Sequence, residues 1–175
     1  VWNHLTTQAD LDERYRPLIG LCGAEFRRQL NTVIKTNIDL GYRGARKAFF
    51  GTIDNVDGSV CGVYTDLCVR TAGIPNSTTM NCEHSWPQSK GAKGIAKSDI
   101  HHLYPTGSRI NSSRGSFPFC EVARVELQKD QSKVGRSSFG TKCFEPPANH
   151  KGDLARSMMY FSVRYKMPID GEQEM

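Results

Sequence analysis

The chain has 175 residues, 38% of them hydrophobic, with 23 Lys and Arg against 18 Asp and Glu. That length suits one domain spanning residues 1–175 around a continuous core, and no apolar run approaches the roughly 20 residues that cross a bilayer, so no membrane partner is expected. The charge is uneven: residues 1–84 carry nine of each sign, residues 85–166 carry 14 basic and six acidic residues, and the last nine carry three acids and no base. A basic segment of this kind suits a polyanion, or else is a solvated face without a partner.

In chain order, Phe26, Leu30, Val33 and Ile34 recur at helical spacing with Arg27, Arg28 and Asn31 on other faces, which predicts a core-packing helix over 24–35. A shorter helix is expected over 43–50, ended by Gly51 ahead of the turn Asp54-Asn55-Val56-Asp57-Gly58. Residues 60–64 read as a strand. Loop chemistry between Thr71 and Thr79 then delivers the chain to Met80-Asn81-Cys82-Glu83-His84. Trp86-Pro87 forbids a helix directly afterwards, because proline drives its predecessor out of the helical region. A Lys- and Gly-rich loop covers 90–97. A strand is expected over 99–105, stopped by Pro105 and Gly107, and a short polar helix over 109–114 carries Asn111. Strands are expected over 122–127 and 139–144. The breaker Pro146-Pro147 precedes a last helix over 151–166, capped by Asn149, with Leu154, Met158, Phe161 and Tyr165 on one face. These elements do not alternate as a parallel sheet requires, so the fold class is α+β. No internal repeat is present.

Cys22, Cys61, Cys68, Cys82, Cys120 and Cys143 form an even, dispersed set, which reads as a disulfide framework whose pairing the sequence leaves open. The chain starts at Val1 without an initiator Met or an apolar leader, as expected of a periplasmic or secreted protein whose signal peptide is gone.

Glu83, His84 and Asn111 are the set available for phosphodiester chemistry, unless the Glu-His pair is a surface carboxylate beside a structural histidine. Hydrolysis of a phosphodiester at neutral pH needs an activated water and countercharge for the developing oxyanions. A neutral imidazole can accept the water's proton, and a carboxylate beside an amide oxygen forms an all-oxygen site for a hard cation such as Mg2+, with Mn2+ or Ca2+ as alternatives. Neighbouring strand residues point to opposite faces, so Glu83 and His84 converge only if the strand twists or ends there.

Several short motifs stand in one order: Asn81-Cys82-Glu83-His84-Ser85-Trp86-Pro87-Gln88-Ser89, Ser98-Asp99-Ile100-His101-His102-Leu103-Tyr104-Pro105, Ile110-Asn111-Ser112-Ser113-Arg114-Gly115, Glu145-Pro146-Pro147, and Lys151-Gly152-Asp153-Leu154-Ala155-Arg156. Together they resemble the bacterial endonuclease I family of non-specific nucleases. The resemblance implies a ββα-metal (His-Me finger) core at about 80–115, flanked by helices. In that core His84 would be the general base, and Glu83 and Asn111 would hold one Mg2+. It implies a monomeric endonuclease acting on DNA and also RNA, with 5′-phosphate products. Indifference to sequence fits a protein that grips phosphates and leaves base edges unread.

The chain departs from the family pattern in two places. Some relatives place a phosphate-binding arginine after the Glu-His pair, where this chain has Lys90, Lys93 and Lys97; Arg114 and Arg156 are therefore the candidates for phosphate contacts. Position 102 is His where Asn is usual, so His101 and Asp99 are expected to support the site and His102 is given no role. Lys90, Lys93, Lys97 and Lys151 are expected to bind the nucleic-acid backbone. Three alternatives stay open: a zinc site from Cys82, His84, His101 and His102; a non-catalytic nucleic-acid-binding module on a degenerate nuclease scaffold; and a glycan on the sequons at Asn76 or Asn111.

Overall fold

A computed structural model describes residues 13–36 and 38–169. The first helix, α1 (Gly23–Ile34), lies within a residue of its expected place, yet it buries none of its side chains. It is a surface helix and not the core helix expected from its apolar spacing. The reason is that its contact with the carboxy-terminal helix is polar: Arg27 donates to the Ser162 hydroxyl at 2.6 Å, and Asn31 donates to the Val163 carbonyl at 2.8 Å and the Arg164 carbonyl at 3.0 Å.

Helix α2 (Gly41–Ala48) runs past the expected stop at Gly51 as a π-helical turn, Phe49–Ile53. Ala45, Phe49 and Phe50 are buried by this segment and form one of two apolar clusters with Val60, Met80 and Leu103. A small antiparallel sheet follows, of β1 (Asn55–Val56), β2 (Ser59–Cys61) and β3 (Cys68–Arg70). Asp57 and Gly58 both adopt positive φ in the two-residue turn between β1 and β2, as a type I′ hairpin demands. Only the middle of this sheet was expected.

The central hairpin pairs β4 (Met80–His84) with β5 (Leu103–Gly107), placing Glu83 opposite Tyr104 and His84 opposite Leu103. Helix α3 (Ser108–Arg114) starts at the next residue, which gives a ββα unit. The expected strand over 99–105 is displaced. Ile100–His102 is a 3-10 turn, because the Asp99 side chain accepts the His101 backbone N–H. Pro105 does not stop β5. Its carbonyl accepts from Val63 on the edge away from β4, so its missing N–H also lies on that edge and no β4 bond is lost.

A second antiparallel sheet contains β6 (Arg124–Lys129), β7 (Ser132–Arg136) and β8 (Lys142–Glu145). The middle strand was not expected, and Phe139, expected within a strand, sits exposed in the turn after it. A Cβ at Gly135 would meet the Arg124 carbonyl oxygen, so only glycine fits beneath the bulge between Val125 and Leu127. Helix α4 (Ala148–Tyr165) starts earlier than expected, with Pro147 as its N-cap and Asn149 inside the first turn. Its Leu154, Met158 and Phe161 are buried with Tyr64, Trp86 and Phe144 in the other apolar cluster.

Four of the six cysteines are paired, as Cys61–Cys68 and Cys120–Cys143, while Cys22 and Cys82 are free thiols. No helix among the described residues is long and apolar enough to cross a membrane.

Candidate active site

His84 is the last residue of β4, and its neighbours differ from those of Glu83. Its Nε2 lies 3.1 Å from the Lys97 backbone carbonyl. A carbonyl only accepts, so in the neutral imidazole the proton sits on Nε2 and Nδ1 keeps its lone pair. Burial above all, then the neighbouring His102, pulls the His84 pKa down to about 4, against the opposing effect of the Lys97 and Cys82 carbonyls. The ring is therefore neutral at physiological pH, as a base must be. It is flanked by Tyr42 at 5.7 Å and by His102 at 5.6 Å between centroids.

Asn111 reaches β4 from the second turn of α3. Its Nδ2 donates to Asn81 Oδ1 at 2.7 Å and approaches the Cys82 carbonyl at 3.4 Å. Both contacts occupy the amide nitrogen, which turns the amide oxygen away from β4 as a free acceptor.

Glu83 is buried, and burial raises its pKa, opposed by Arg114, the Tyr64 hydroxyl and the His84 backbone N–H. Tyr64 donates to Oε1 at 3.0 Å, and Arg114 Nε stands 3.2 Å from the same oxygen. One carboxylate disfavoured by burial and one oriented amide oxygen are a donor set that a hard divalent cation fits, with water and phosphate oxygens completing its shell.

The other expected residues divide. Arg114 is only 1% exposed; it donates to the carbonyls of Ser85 and Gly115 and lies over the Phe119 ring at 4.5 Å, pointing inward and not toward a ligand. Arg156 is exposed and paired with Asp153. Lys151 is committed to Glu145 at 2.8 Å. Lys93 is exposed and Lys97 half-buried, both on the excursion between β4 and β5, while the Lys90 carbonyl accepts from Trp86 Nε1. Asp99 is an anchor: burial alone would raise its pKa, but donors from His101, Tyr165 and Tyr160 outweigh it and hold the carboxyl well below the usual range. His101 leans on Tyr160 and bonds Asp99, so its help to the site is indirect. His102, given no role from sequence, is fully buried, bonded to the Ala96 carbonyl at 2.7 Å and packed against His84.

The zinc alternative finds no support in this geometry, for among the described residues no group of three or more His, Cys, Asp or Glu is gathered to hold a metal ion. Burial also pushes the Cys82 thiol up to about 12, away from the thiolate that zinc requires. At Asn111, a glycan would attach to the nitrogen already bound to Asn81.

Tyr42, Tyr64 and Asn81 were not anticipated. Asn81 carried a signal, since residues two apart on a strand share a face and Asn81 lies on the Glu83 side. For the two tyrosines, no local pattern connects them with β4.

The fold is α+β, with a ββα unit that carries a carboxylate and an imidazole, Glu83 and His84, at the end of β4 and a carboxamide, Asn111, on α3. The model of the Endonuclease I family matches residues 22–175, and the chain belongs to that family. Among curated proteins, it is 27% identical over 168 residues to an extracellular ribonuclease of Bacillus amyloliquefaciens, covering 93% of this chain and 56% of that protein. It is 29% identical over 164 residues to an extracellular ribonuclease of Bacillus subtilis (strain 168), covering 90% and 55%. It is 26% identical over 95 residues to Endonuclease-1 of Buchnera aphidicola subsp. Baizongia pistaciae (strain Bp), covering 54% and 37%. The chain spans little more than half the length of the two ribonucleases.

Proposed function

We propose that this chain is an exported, divalent-metal-dependent nuclease that hydrolyses phosphodiester bonds in RNA and DNA. The observation that carries the reading is the His84 ring: with Nε2–H tied to the Lys97 carbonyl, Nδ1 is left with its lone pair to act as the base. Water attacks phosphorus as its proton passes to His84 Nδ1, and the P–O3′ bond breaks to leave a 5′-phosphate and a 3′-hydroxyl. Glu83 and Asn111 would hold Mg2+, which when bound supplies countercharge to the phosphate and the leaving oxygen. Arg114 and Tyr64 favour the ionised form of Glu83 against the effect of burial and hold it in place, so Arg114 acts on the ligand and not on the phosphate. Lys93, Lys97 and Arg156 grip the backbone without reading bases.

RNA as a substrate is supported by the names of the two Bacillus relatives, and export by those names and the two disulfides. The test is incubation of the protein with supercoiled plasmid and with single-stranded RNA in Mg2+, with EDTA and His84→Ala as controls. Cleavage lost in both controls supports the reading. No cleavage of either substrate in Mg2+, Mn2+ or Ca2+ overturns it in favour of a binding module.

A further inference from the structure

Helix α2 lies outside the ββα unit, yet it reaches the reacting residues through Tyr42. The Tyr42 ring lies 5.7 Å from that of His84. Two cations use the same ring: Lys97 Nζ is 4.6 Å and Arg46 Cζ 5.6 Å from its centroid. Both cationic side chains are half-buried. Among the described residues neither forms an ion pair with a carboxylate, and Arg46 Nε is buried without a hydrogen-bond partner.

Elsewhere the chain neutralises its crowded cations. Arg124, Arg136 and Lys142 surround Glu126, Lys133 and Lys151 share Glu145, and Arg114 faces Glu83. Asp54, which like Arg46 acts electrostatically on Cys82, makes no ion pair with Arg46. Two like charges set on one ring without a counterion repel each other and gain when an anion arrives between them.

We propose that Arg46, Lys97 and the Tyr42 platform form a clamp for one phosphate of the nucleic-acid backbone, within a nucleotide of the bond that His84 attacks. This rests on the nuclease reading for its substrate, though not for its test. Arg46 thereby supplies, from α2, the guanidinium that the short loop after Glu83-His84 lacks. A guanidinium binds one phosphate through two N–H groups, and an ammonium beside it adds charge without geometry.

The experiment measures the affinity of the intact protein for a labelled single-stranded RNA in EDTA, where no cleavage occurs, between 50 and 200 mM salt. Each phosphate contact removed lowers the slope of log K against log salt by about 0.7. Arg46→Gln and Lys97→Gln are each expected to lose about that much slope, roughly a severalfold loss of affinity at the lower salt. Arg46→Lys and the distant Lys129→Gln are expected to keep the slope. Unchanged slopes in Arg46→Gln and Lys97→Gln, with melting temperatures like the parent's, overturn the clamp. If Arg46→Gln fails to fold, Lys97→Gln decides. A parent that cleaves while both slopes stay put keeps the nuclease reading and removes the clamp; a parent that never cleaves while both slopes fall does the reverse.

Discussion

Tyr64 and Glu83, 19 residues apart in the chain, meet in the interior through a 3.0 Å hydrogen bond from the phenol to carboxylate Oε1. The bond fixes the carboxylate and opposes the effect of burial on its charge. Tyr64→Phe is therefore expected to raise the Mg2+ concentration for half-maximal activity about tenfold, while costing about 1 kcal/mol of stability. Activity against Mg2+ concentration, set beside thermal melts, checks this; an unchanged Mg2+ requirement would remove Tyr64 from the site.

Asn81 plays the corresponding part for Asn111. Asn81→Ala frees the Asn111 amide to flip, with an expected loss of about tenfold or more in turnover. Asn81→Asp keeps an oxygen acceptor at the same place and should retain most of it. Equal losses in the two variants would mean that the amide orientation does not matter.

Arg114 separates a positioning role from phosphate binding. Arg114→Met leaves Glu83 buried without its cation and is expected to cost about 3–5 kcal/mol, read as a large fall in melting temperature. Adding Glu83→Gln should recover part of that stability, though no activity. A stable Arg114→Met with only KM raised would instead make it a substrate contact.

His150 carries a pH dependence away from the reacting residues. It is buried between Tyr64 and Tyr104, and burial depresses its pKa to about 4. Below about 6.5 the unfolded chain takes up a proton that the folded form refuses. Stability is thus full above that value and declines as pH falls toward 4. His102, depressed for the same reason, adds to the decline. Thermal melts between pH 7 and 4.5 should show a falling melting temperature, and His150→Asn should flatten the curve. A variant with the parent's slope would assign the acid sensitivity elsewhere.

The cysteines give a count and a ranking. A thiol reagent should titrate two groups in the unfolded, unreduced protein, Cys22 and Cys82. Cys120–Cys143 closes a separation of 23 residues against 7 for Cys61–Cys68, so its removal should destabilise more. Titration of six thiols would dispose of both bridges.

Much of the ββα unit was legible because its residues are close in sequence. Glu83, His84 and Asn111 lie on β4 and α3, joined by β5, and chain order alone brings the hairpin to the helix. What escaped is tertiary. The alternating run from Asp99 looked like a strand, but a side chain captured the His101 N–H and turned the backbone. Strand β7 has too little apolar character to announce itself, and its Gly135 is there for a close approach that only the folded sheet creates. Arg114 resembled a phosphate ligand because nothing local reveals that Glu83 and Ser85 receive it. The help from Tyr42 and Tyr64 comes from segments whose distance to β4 is decided by packing.

The anchorage of Asp99 bears on when the protein becomes active during its synthesis. The turn ahead of β5 is secured by the hydroxyls of Tyr160 and Tyr165, near the far end of α4. A nascent chain therefore exposes both strands of the hairpin well before the residues that hold this turn have been translated. Were the chain to cleave RNA, as proposed, such lateness would protect the ribosome and the message from which it is being made.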